Sequence, residues 1–237
     1  MFKKIFISGL VLVFTLLAVM LYGSRIGGQN KKEFSYFAGY NAGNDKMLDN
    51  YCINKSSFVN SNEYKKVDQD VRDKIIADRQ ELLKKTMGEL MAYLGQARGE
   101  DEVGDRLYLI GLKYAQGGDL SVTNKYWSCA AEKYMEPKSM LKIAKLYFVG
   151  DNTVGIIKDY KKAYFWLLNA IYVDIAQGER NNVWSNSGDF VSEMESGDKY
   201  GIDYVGVAAD SLEFIKKVYP DIEVRIENAR NNEANVK

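Results

Sequence analysis

Apolar residues recur along most of this chain at intervals of three to five, the spacing of one helical face, so the pattern predicts helices. Residues 63–98 are the clearest case, with Val67, Val71, Ile75, Leu82, Met87, Leu90 and Leu94 on one side. Lys84, Lys85 and the acids around them fall on the solvated side, and Gly88 weakens the middle. Residues 34–52 predict a shorter helix, with Phe34, Phe37, Tyr40 and Met47 together and weak points at Gly39 and Gly43. The earliest stretch has a different pattern. Residues 5–22 are 18 consecutive positions without a charge. As a helix that run spans roughly 27 Å, close to the hydrocarbon thickness of a bilayer. It is longer than a secretory h-region, and "VMLYGSR" is a poor cleavage site. We read it as an uncleaved membrane anchor. Lys3 and Lys4 favour a cytoplasmic N-terminus, Arg25, Lys31 and Lys32 oppose it, and we expect the domain beyond this single span to be exported, to a bacterial periplasm or its equivalent.

From residue 105 the helical pattern repeats itself. "RLYLIGLKYAQGG" aligns with "SMLKIAKLYFVGD", pairing Gly111 with Ala144, Tyr114 with Tyr147 and Gly117 with Gly150, each 33 residues apart. "KYWSCAAEKY" matches the "AYFWLLNAIY" stretch when shifted by one position, pairing Trp127 with Trp166 and Ala131 with Ala170, now 39 apart. "NTVGIIKD" carries the insertion. Two helix pairs of this period predict a short helical solenoid over residues 105–178. Small residues, Gly111, Ala130, Ala131, Ala144, Ala163 and Ala170, let helices approach closely. Large ones, Tyr114, Tyr147, Trp127 and Trp166, fill the space left over. Gly117 and Gly150 fall where helices must end. Pro137 suits the first turn of the next helix.

These residues resemble the Sel1-like repeats of the tetratricopeptide group. The second unit carries the resemblance best, in "IAKLYFVG" at 143–150 and "KDYKKAYFWLLNA" at 158–170, with Lys158, Asp159, Lys162, Ala163 and Trp166 at pattern positions. The first unit has "IGLKYAQGG" and "CAAEKY", but "SVTNKY" replaces the charged lead-in, and Ala144 replaces the pattern's glycine in the second unit. The resemblance implies an adaptor that holds other proteins, often at membranes or in secretion. Some bacterial members look like immunity proteins against envelope-targeting toxins.

The pattern weakens past the repeats. Residues 179–203 read as an irregular loop with a short helix near 189–195, and Trp184 is there either as a tether into the array or as an exposed anchor for a partner. Residues 204–219 predict a capping helix through Val207, Leu212, Ile215 and Val218, stopped by Pro220. Residues 220–237 begin as a helix and fray into a tail. The division is therefore 1–4, basic lead; 5–22, anchor; 23–33, linker; 34–104, N-terminal helical region; 105–178, repeats; then 179–203, 204–219 and 220–237. The expected fold is all-α.

Composition narrows the chemistry. Lys+Arg and Asp+Glu both number 32, so no basic excess points to nucleic acid. There is no histidine, which removes the commonest neutral-pH base and zinc ligand. Cys52 and Cys129 are the two cysteines, too few for a structural zinc site. They either pair, as an exported domain allows, or Cys129 is simply buried. No phosphate loop follows Gly111, Gly117 and Gly118, and no carboxylate pair stands in an apolar run. We expect no cofactor, no metal and no enzymatic activity. The leading reading is a membrane-anchored protein-interaction module of the bacterial envelope, with an immunity protein against a secreted envelope-targeting toxin, a structural subunit of a membrane complex and an enzyme as the alternatives. Tyr108, Tyr126, Tyr160 and Tyr164 lie about a turn from core positions and are expected to face outward towards a partner, with Trp184.

Overall fold

The computed structural model describes residues 46–52, 67–152, 155–179, 181–196 and 198–234. They form helices α1 (Lys46–Cys52), α2 (Gln69–Lys84), α3 (Met87–Leu94), α4 (Glu100–Gln116) and α5 (Leu120–Tyr134). These are followed by α6 (Pro137–Val149), α7 (Tyr160–Ala176), α8 (Val183–Met194), α9 (Tyr204–Lys216) and α10 (Ile222–Ala234). The fold is all-α: among the described residues the nearest thing to a strand is one antiparallel bridge, Asp151 to Ile156. No helix among them is long and apolar enough to cross a membrane. The expected anchor at 5–22, the linker and most of the helix expected at 34–52 lie outside the described residues.

Helix α7 is the spine. Every residue from Ala163 to Ala176 is buried, as in a helix that has neighbours on all sides. It pairs with α6 as a hairpin and is covered by α8, α9 and α10. Helices α4 and α5 form the preceding hairpin, and α5 packs on α6. Close approach within the first hairpin depends on Gly111. A Cβ there would sit 2.6 Å from the Trp127 ring, a distance no packed side chain tolerates. Gly150 ends α6 with φ +75°, and a Cβ would meet the Lys158 backbone at 3.0 Å. Gly117 ends α4 in a right-handed conformation, and its neighbour Gly118 takes the positive φ instead.

A second apolar cluster joins Leu48, Leu90, Leu94, Leu107, Ile110, Tyr126 and Ala130. A disulfide between Cys52 and Cys129 staples α1 to α5 there, with Cα atoms 5.7 Å apart. Tyr134 Oη donates to the Tyr51 carbonyl at 2.6 Å beside it.

Three expectations are corrected. The single helix over 63–98 is two: Lys85 and Thr86 are extended, with ψ 154° and 162°. Thr86 and Glu89 close a capping box that starts α3, the side chain of each accepting from the other's backbone amide. Within α2 the apolar face is poorly covered, leaving Val71 and Ile76 exposed while Arg79 is buried. Residues 179–203 hold a 12-residue helix, α8, longer than the short helix expected near 189–195 and capped from elsewhere. The buried Asp174 carboxylate on α7 accepts from the amides of Asn181 at 2.7 Å and Val183 at 2.6 Å. The C-terminal segment is helical through Ala234, because Ile222, Ile226 and Ala229 are buried and Arg225 donates to the Ala176 carbonyl at 2.8 Å.

Candidate interaction surface

The residues expected to build the repeat core fall into two groups. Trp127, Ala131, Ala144, Ala163, Trp166 and Ala170 are buried. Trp127 Nε1 donates to the Tyr108 carbonyl at 3.3 Å, and Trp166 packs against Phe165 and Phe214. Tyr114 and Tyr147, each near the end of its helix, are only half-buried. Tyr114 stacks on Tyr126 at 5.5 Å, and Tyr147 lies under the Lys162 ammonium at 5.3 Å.

The outward tyrosines need correction. Tyr108, Tyr126 and Tyr164 are 8%, 0% and 1% exposed. The sequence pattern puts them a turn from the core of their own hairpin, but other helices cover that side. Tyr126 faces the cluster that includes α1 and α3, and its Oη reaches Met91 Sδ at 3.8 Å. Tyr164 meets Tyr204 of α9 edge to face at 5.1 Å and donates to Glu195 Oε1 at 2.6 Å. Burial and the neighbouring Glu195 push its hydroxyl pKa far up, so it remains a neutral donor. Burial likewise raises Tyr108. Of this set Tyr160 alone reaches solvent, and it is half-buried. Trp184 begins the first turn of α8, and its side chain lies outside the described residues.

What Tyr160 joins is a ring cluster at one end of the second hairpin. Phe148 of α6 is its centre, 5.5 Å from Tyr160, 5.2 Å from Phe190 and 5.6 Å from Tyr200. Tyr160 and Tyr200 are 4.4 Å apart. All four rings are half-buried. The α6–α7 connection folds back beside them. Its arms pair through Asp159 N donating to Tyr147 O at 2.9 Å and reciprocal bonds between Asp151 and Ile156. This pairing puts Val149 opposite the 157–158 step. Ile157 and Val149 are 77% and 68% exposed, more than any other large apolar side chain among the described residues. Lysines rim the cluster: Lys158 Nζ is 5.6 Å from the Tyr160 ring and Lys199 Nζ 4.9 Å from the Tyr200 ring. A hydrogen bond with Tyr200 raises the pKa of Lys199 further, so it is charged at neutral pH. Apolar centre with a polar rim is the anatomy of a protein-binding patch.

A second polar feature sits where the hairpins meet. Arg79 Nε donates to Asp105 Oδ1 at 2.5 Å and Nη2 to Asn181 Oδ1 at 2.8 Å. Glu136 caps α6, its Oε2 accepting from Ser139 N at 2.5 Å. Arg79 Nη1 and Glu136 Oε1 are buried with no partner. Burial, only partly offset by Arg79, pushes the Glu136 carboxyl up to about 7. The adjoining cavity is about 20 Å³, the room of a single water. Among the described residues no group of three acidic or cysteine side chains is placed to hold a metal.

No protein family, no curated protein and no solved structure matches this chain. The patch therefore stands on its own geometry. Val149, Ile157, Phe148, Phe190 and Tyr200 were not among the expected site residues. Only Ile157 left a sequence trace, as an apolar residue inside the predicted loop insertion.

Proposed function

We propose that this chain is a protein-interaction module, held at a membrane by residues 5–22 and presenting its helical array to a partner. The observation that carries the reading is the exposure of Val149 and Ile157 at the two ends of the α6–α7 connection, next in the chain to half-buried Phe148 and Tyr160 of the ring cluster. Exposed large apolar side chains cost solubility unless a partner covers them, and a contiguous group marks an interaction site. The Cys52–Cys129 disulfide supports an exported array, since such bonds persist in oxidising compartments. The resemblance of the sequence at residues 105–178 to Sel1-like repeats supports the same reading.

The test is affinity capture of the full-length membrane protein with Val149→Asp and Ile157→Asp as the comparison. Both side chains are mostly in water, so the melting temperature should hold within about 2 °C. The partner recovered with the parent chain should be lost from the double variant. Equal recovery would remove this surface from the function.

A further inference from the structure

The rim of the patch indicates what kind of partner surface it takes. Resting on the interaction reading above, we infer that the Phe148–Tyr160–Tyr200 patch binds an acidic peptide segment with aliphatic side chains, contributed by a partner protein. The argument is one of charge and shape. Lys158 and Lys199 are exposed, and each ammonium lies over a ring of the cluster. Lys162, half-buried, lies instead over Tyr147, a ring outside the cluster. Two exposed cations thus border one apolar centre, each ammonium over an aromatic ring. Of the nearest acids, Asp159 is half-buried while Lys158 and Lys199 are exposed, and Glu132 acts on Tyr147, outside the cluster. Asp159 is engaged as the cap of α7, accepting from Lys162 N at 2.9 Å. Glu193 faces the Lys199 side alone. An incoming aliphatic side chain gains contact with Val149, Ile157 and Phe148, and carboxylates beside it meet the lysines. A basic segment would place like charges against the same rim, at a cost.

The test uses the full chain in phosphatidylcholine nanodiscs, panned against a random peptide display library. The expected peptides are enriched in Asp and Glu next to Leu, Ile or Val. Their affinity should fall about tenfold or more in Lys158→Glu/Lys199→Glu, and the fall should weaken as salt rises. Ile157→Asp should also abolish binding. Circular dichroism and melting of both variants should match the parent. Peptides that need Ile157 but are neutral or basic would overturn this inference and leave the interaction reading standing. If no enriched peptide depends on Ile157, both fall. Binding of phosphatidylglycerol vesicles that is lost in Lys158→Glu/Lys199→Glu, without acidic peptides, would overturn it in favour of a lipid surface.

Discussion

Glu136 shows how one buried side chain ties stability to pH. Its carboxyl moves from 4.5 to about 7, chiefly because burial penalises the charged form. The folded state therefore binds its proton more tightly than the unfolded state does. Its contribution is fully present below about pH 4.5 and is lost as pH rises through about 7. Glu132, raised to about 7 by burial, acts in the same window and with the same sign. Glu136→Gln keeps an acceptor for Ser139 N and cannot ionise. Urea denaturation between pH 4.5 and 8 should show a shallower decline for Glu136→Gln than for the parent, and a shallower one again with Glu132→Gln added. An unchanged slope would mean that neither carboxyl changes its proton affinity on folding. At the same scale, Tyr126 and Tyr164 are misplaced by sequence reasoning because each side chain's second neighbour belongs to a helix far away in the chain.

At the scale of elements, the helices differ in where their ends are held. Thr86 for α3, Asp119 for α5, Asp159 for α7 and Asp203 for α9 each accept from an amide three residues on, the local cap that a sequence displays. Helix α8 has no such cap. Its first amides depend on Asp174, buried on α7 and engaged at 2.7 and 2.6 Å. Asp174→Ala leaves both amides and the Arg79-bound Asn181 without that anchor. The expected loss is about 3 kcal/mol, read by chemical denaturation. Amide exchange should rise first along 183–194, while α4 and α5 stay protected. Uniform change across the chain would contradict a local anchor.

At the scale of the molecule, two clusters share the load unequally. The larger is gathered around α7. The smaller one, beneath α1, α3, α4 and α5, is crossed by the disulfide. That bond closes a separation of 77 residues, and loops of this order stabilise by at most about 4.5 kcal/mol through the unfolded chain. The variant Cys52→Ala/Cys129→Ala should melt lower, with α1 losing protection from exchange before α7 does. The loss should be absent when the parent is measured in excess reductant, where both chains lack the bond. A variant as stable as the oxidised parent would show that packing alone holds α1.

The amino-acid order by itself determined the all-α class and the places of most helices from residue 100 onward, because helical periodicity and local caps act within a few residues. It also marked Gly111 as a place of close helix approach and Trp127 as a space-filling residue, and the structure shows that the two meet. Only the tertiary structure decided which tyrosines are buried, that α8 exists as a full helix, and that Phe148, Tyr160, Phe190 and Tyr200 meet. Those outcomes depend on helices separated by tens of residues, and no local pattern encodes which face a distant helix will cover.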